Sequence, residues 1–177
     1  KKIKTYIIYI KLINFYIIKK MSRTLTCISS DNEKFTIDEK SAQKSGLLKG
    51  VFEDYKENME DTQIGDISGS ILKKVFEYLE HYKESEPKEI PRPLPSASMS
   101  EVCSEWDAKF IGELELDTVF DVINAANYLD IKSLLDLSCA KIASEMKGKT
   151  AEEIRAKFNI ENDLTEEEMK EYEEYQI

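Results

Sequence analysis

Apolar positions along this chain recur at two spacings, and the change of spacing marks the elements. Leu25 and Cys27 alternate with Thr24, Thr26 and Ile28, and Lys34-Phe35-Thr36-Ile37 resumes after the turn-forming run Ser30-Asp31-Asn32-Glu33. Alternation on both sides of a turn predicts a hairpin from Arg23 to Ile37. Beyond it the period is helical. Asp38 and Ser45 stand where N-caps belong, ahead of two short helices running through Lys44 and Phe52. Ser70 heads a longer helix whose stripe is Ile71, Leu72, Val75, Phe76 and Leu79, with Lys73, Lys74, Glu77 and Glu80 on the wet side. Between these helices, Glu53 to Ile67 is polar and acidic and reads as a solvated loop.

The second half opens after residues 84–105, which hold all four prolines and predict a loop that separates the halves. Trp106, Phe110 and Ile111 predict a short helix anchoring one half on the other. Three helix signals follow with short joints. Thr118 to Leu129 is apolar nearly all round, the mark of a helix buried on most sides. After Asp130, Ile131, Leu134, Leu135, Ile142 and Met146 form a stripe that includes Ser138. Leu137, Ala140 and Ala143 widen it, and Gly148 closes the helix. Thr150 and Glu153 make a capping box ahead of Ile154 and Phe158, and Thr165 with Glu168 makes another ahead of an acidic helix to Tyr175. A helix apolar on two sides needs a second layer, from this chain or from another protein.

Charge narrows the functions. The net charge is −10. Residues 1–20 hold six lysines and no acid, so the remainder sets 19 basic against 35 acidic residues. A body this acidic repels phosphate backbones, which excludes nucleic acid as a partner. Cys27, Cys103 and Cys139 are odd in number and far apart, and His81 is the single histidine, so no zinc spacing exists. Reduced thiols, and hence cytoplasm and nucleus, are expected; Cys139 reads as a small buried hydrophobe. There is no phosphate-cradling glycine loop, nucleophile elbow or zinc-protease motif. His81 falls at the wet end of a helix without a nucleophile beside it. The expectation is a protein that is not an enzyme, with no cofactor, metal or small-molecule substrate.

In residues 1–20 the apolar run Tyr6 to Ile18 is interrupted by Lys11 and Asn14. It falls short of the roughly 20 residues that span a bilayer, and no small-residue cleavage site precedes Met21. Its residue types mostly have A/T-rich codons. A leader outside the folded protein is expected over 1–20, with the domain starting at Met21 and no membrane partner.

The segments AANYLDIKSLLDLSC, KGKTAEEIR and FNIENDLTEEE closely resemble the C-terminal half of the Skp family, the S-phase-kinase-associated adaptors. The match is ungapped from Thr118 to Glu168 and extends more loosely back to about Arg23. It implies an α/β, mostly helical BTB/POZ fold over 21–130, with a small N-terminal sheet and a C-terminal extension over 131–177. It implies an adaptor that joins F-box proteins to the N-terminal domain of a cullin in SCF-type ubiquitin ligases. Asn127 and Tyr128 would face the cullin. Leu135, Cys139, Ile142, Met146, Ile154, Phe158 and Ile160 would face the F-box. The family's proline-rich strand signature near PLPNV is replaced here by QIGDIS, which puts that strand in doubt. A Skp-like or elongin C-like adaptor of a non-ligase complex, or a degenerate paralogue, stays open; elongin C lacks helices beyond the position of Gly148.

Overall fold

A computed structural model of the chain describes residues 23–54, 60–163, 165 and 168. The expected leader and the acidic helix to Tyr175 therefore fall outside the described residues.

The hairpin forms as its alternation predicts. β1 (Thr24–Ile28) pairs antiparallel with β2 (Lys34–Asp38), Leu25 opposite Ile37 and Cys27 opposite Phe35. Leu25, Cys27 and Ile37 point into the core. Asp38 then caps α1 (Glu39–Ala42), accepting from the backbone N–H groups of Lys40 and Ser41. α2 (Gly46–Asp54) buries Leu48 and Phe52.

The loop expected over Glu53 to Ile67 is different. Thr62–Gln63 is a third strand, β3, lying parallel to β1 and giving the sheet order β2-β1-β3. The Ile64 N–H donates to the Ile28 carbonyl at 2.8 Å, and its side chain is fully buried. Two residues are too short for alternation to register, and the acidic flanks hid the isoleucine. The QIGDIS stretch thus keeps a strand despite losing the proline-rich signature.

α3 (Gly69–His81) begins two residues earlier than expected, with Ser68 rather than Ser70 at the cap position. The hairpin turn holds this end. The Gly69 N–H donates to Asp31 Oδ1 at 2.8 Å, and a β-carbon on Gly69 would lie 2.2 Å from Glu33 Oε2. The bonds from Ser29 and Gly69 hold the Asp31 carboxyl below its ordinary range.

The proline-rich stretch is more than a spacer. It contains α4 (Met99–Val102), and Ile90 and Leu94 lie half-buried against the core. α5 (Glu105–Gly112) carries Trp106, which stacks on Phe110 at 5.0 Å and on the exposed His81 ring at 3.6 Å. Trp106 thus anchors α5 to the end of α3, as its position suggested. Beneath it, Asp107 is buried, and its Oδ2 accepts from the Tyr82 hydroxyl at 2.8 Å and the Ser104 hydroxyl at 2.7 Å. Burial, above all, pushes the Tyr82 phenol up to about 12.

α6 (Leu116–Tyr128), α7 (Lys132–Met146) and α8 (Ala151–Phe158) complete the fold. α6 starts two residues before Thr118. It is not buried on most sides: Val119, Val122, Ala125 and Ala126 are in the core, while Phe120 and Tyr128 are 41% and 48% exposed. α7 also divides what composition merged. Leu134, Leu137, Ser138 and Ala140 are buried, whereas Leu135, Ile142 and Met146 are only half-covered. Ser138 is compatible with the interior because its hydroxyl donates to the Leu134 carbonyl at 2.8 Å. Gly148 has φ +75°, the left-handed closure expected of it. α8 carries the expected capping box, with Thr150 and Glu153 bonded reciprocally.

Candidate functional site

Two exposed surfaces remain once the core is filled, one at the C-terminal end of α6 and one along α7 and α8.

The first is the C-terminal end of α6. The chain must turn sharply there, and Asp130 adopts φ +51°. The turn is fastened from α2: Ser45 Oγ donates to the Leu129 carbonyl at 2.5 Å and accepts from the Leu48 N–H at 3.2 Å. The Gly46 N–H donates to the Asp130 carbonyl at 3.0 Å, an approach that only glycine permits, since a β-carbon would lie 2.0 Å from Asp130 Oδ2. This clamp leaves Leu129 buried and presents Asn127 and Tyr128 outward. The Tyr128 ring lies against the backbone of Gly65, beside a cavity of about 530 Å3 walled by Ile67, Ile71 and Ala125 and edged by Asp66 and Asp121. A half-exposed tyrosine beside an apolar hollow has the form of an aromatic anchor.

The second surface runs along α7 onto α8. The seven residues singled out by family resemblance are all outside the buried core. Leu135, Ile142, Met146, Ile154 and Phe158 are half-covered, and Cys139 and Ile160 are exposed. The reading of Cys139 as a buried hydrophobe is therefore incorrect; a quarter-turn of α7 separates it from the core side. α8 buries no residue at all. It is held by the edge contact of Phe158 on Phe120, ring centroids 6.2 Å apart, and by Lys157, which bonds Glu145 of α7. Glu145 also accepts from Lys141 at 2.5 Å. Together, Lys141 first and then Lys157, these bonds hold its carboxyl down at about 2.

Phe120 belongs to this surface and was missed. It is the fifth residue of α6, between Val119 and Val122, which both turn into the core. Nothing in the sequence pattern separates its face from that of Val119 without knowing which neighbour α6 packs on.

Neither surface resembles a reaction centre. Among the described residues no group of His, Cys, Asp and Glu could hold a metal ion, and no helix is long and apolar enough to cross a membrane. Cys27 and Cys103 are buried free thiols whose burial pushes them up to about 12 and about 11, far from a reactive thiolate.

Residues 23–84 match the Skp1 family tetramerisation domain, and residues 132–176 match the Skp1 family dimerisation domain. The S-phase kinase-associated protein 1 homolog of Tetrahymena thermophila is 46% identical over 149 residues, which cover 84% of this chain and 89% of that protein. The E3 ubiquitin ligase complex SCF subunit sconC of Arthroderma benhamiae is 42% identical over 144 residues, 81% of this chain and 87% of its own. The sconC subunit of Aspergillus clavatus is 41% identical over 148 residues, 84% of this chain and 92% of its own. Two family domains, in order and on one continuous core, with relatives aligned along most of their length, establish that the chain belongs to the Skp1 family.

Proposed function

We propose that the protein is the non-catalytic adaptor of an SCF-type ubiquitin ligase, bridging the N-terminal domain of a cullin to F-box substrate receptors. The observation that carries this reading is the presence of two exposed surfaces around one packed pair of helices, in a chain with relatives named as SCF subunits. An adaptor works by holding two partners at a fixed geometry, so it needs two faces that do not overlap and a core that does not yield between them. Here α6 and α7 share the core; the C-terminal end of α6 carries the first face, and α7 carries most of the second, to which Phe120 of α6 adds.

On the first face, Tyr128 supplies an aromatic surface and Asn127 a hydrogen-bonding amide for the cullin. On the second, Leu135, Cys139, Ile142, Met146, Ile154, Phe158 and Ile160, joined by Phe120, receive the F-box. Each apolar side chain fully covered by a partner contributes roughly 1.5–3 kcal/mol, so a few of them dominate the affinity. The free thiols suit cytoplasm and nucleus. The fold would divide at residue 130 into a BTB/POZ domain and an F-box-binding extension.

Calorimetric titration of the chain with an F-box domain, followed by a cullin N-terminal domain, tests the reading. Simultaneous binding of both is expected. Binding of the F-box domain alone points to an adaptor of a non-ligase complex, and binding of neither by the folded protein overturns the reading.

A further inference from the structure

The flank of α7 beside the F-box face is covered by part of the proline-rich stretch, and the cover is incomplete. Residues 90–94 cross α7 as a strap. It is tied at its middle and at its C-terminal end: Arg92 forms an ion pair with Asp136, and Lys147 Nζ donates to the Leu94 carbonyl at 2.7 Å. Strap and helix together line a cleft of about 190 Å3. Ile90, Pro91 and Leu94 form its outer wall, and Cys139, Ala140 and Ala143 its floor. An apolar cavity of about 150 Å3 accommodates a benzene-sized group, so this cleft has room for one leucine, methionine or phenylalanine side chain.

Two features make it a receptor rather than a packing fault. The floor that α7 offers here is made of the small residues Cys139, Ala140 and Ala143, which leaves open space beside the strap. The cleft is also continuous with the F-box face through Cys139, whose exposed side chain borders both. A partner lying along Leu135, Ile142 and Met146 reaches it without leaving the protein surface.

We propose that this cleft is an extension of the F-box-binding face. It takes one apolar side chain of an F-box protein from the segment adjoining the F-box itself, with the strap serving as a wall that α7 alone cannot provide. This rests on the adaptor reading above, and it adds a subsite that the F-box helices do not fill.

The test compares wild type with Ala143→Trp, which fills the cleft from its exposed floor, and Ala143→Ser, which does not. Each is titrated with a complete F-box protein and with that protein's F-box helices alone. Circular dichroism melts establish that the variants fold. Ala143→Trp is expected to weaken the complete F-box protein about tenfold and to leave the isolated F-box unchanged, with Ala143→Ser behaving as wild type. Equal affinity of wild type and Ala143→Trp for the complete protein overturns the proposal, as does the same loss with both ligands. Phe158→Glu separates the two levels: it weakens both ligands if the F-box face is correctly assigned. If it weakens neither, the F-box face itself is misassigned and the cleft falls with it.

Discussion

Replacing Glu145 by Gln should loosen α8 without unfolding the protein. α8 has no buried residue, so hydrophobic burial within this chain does little to hold it. Its ties to the rest include the Phe120–Phe158 edge contact and the Lys157–Glu145 ion pair. The Glu145 carboxyl at about 2, against an ordinary 4.5, is set first by Lys141 and then by Lys157. Lys141 lies on the same helix, so only the Lys157 share fastens α8. Glu145 is 22% exposed and Lys157 33%, which leaves water to screen much of the attraction. Partly exposed pairs of this kind contribute about 0.5–1 kcal/mol. At 1.36 kcal/mol per tenfold, α8 should open about two- to fivefold more often in the variant.

Hydrogen exchange resolved by residue reads this directly. The Ile154 to Phe158 amides should lose about two- to fivefold protection, while the core amides of α3 and α6 should be unmoved. The pH dependence has a defined sign. A depressed carboxyl contributes stability that is fully present above 4.5 and fades as the pH falls toward about 2. The wild-type excess of protection in α8 should therefore shrink between pH 4.5 and the low end of that window, and the two proteins should converge. Equal protection of α8 in both proteins at pH 6, or a loss spread evenly over all helices, would refute the reasoning.

Three further outcomes follow from the structure. Ile64→Ala should cost about 2–4 kcal/mol in denaturant melts, because a fully buried side chain under β1 is removed; a solvated loop would lose nothing measurable. Ser45→Ala leaves the buried Leu48 N–H without its partner and frees the Leu129 carbonyl from a hydroxyl. Its cost should be about 1–3 kcal/mol, a fall of several degrees in melting temperature. Tyr128→Ala removes a side chain that is 48% exposed, so the melting temperature should hold within a degree or two while cullin binding falls tenfold or more. Unchanged cullin affinity would remove Tyr128 from that face.

What the sequence disclosed, and what it withheld, divides along physical lines. The hairpin, the Asp38 cap, the Thr150–Glu153 box and the Gly148 closure were readable because each is decided within a few residues by backbone hydrogen bonding. Ile64, Phe120 and Cys139 were not, because each is decided by a neighbour distant in sequence. Ile64 is buried by β1, 36 residues away, and its acidic surroundings suggested water. Cys139 differs from Ala140 only in which side of α7 meets the core. Periodicity finds that α7 has a wide apolar stripe; it cannot say which sector of it the chain itself covers. That indeterminacy is inherent in an adaptor. A helix that will be buried on one side by its own chain and on another by its partner carries two apolar sectors with the same composition. Only the fold separates them, by filling one and leaving the other half-bare. On α7 the strap takes part of the remaining sector as well, so the open width is fixed by residues 90–94 as much as by the helix.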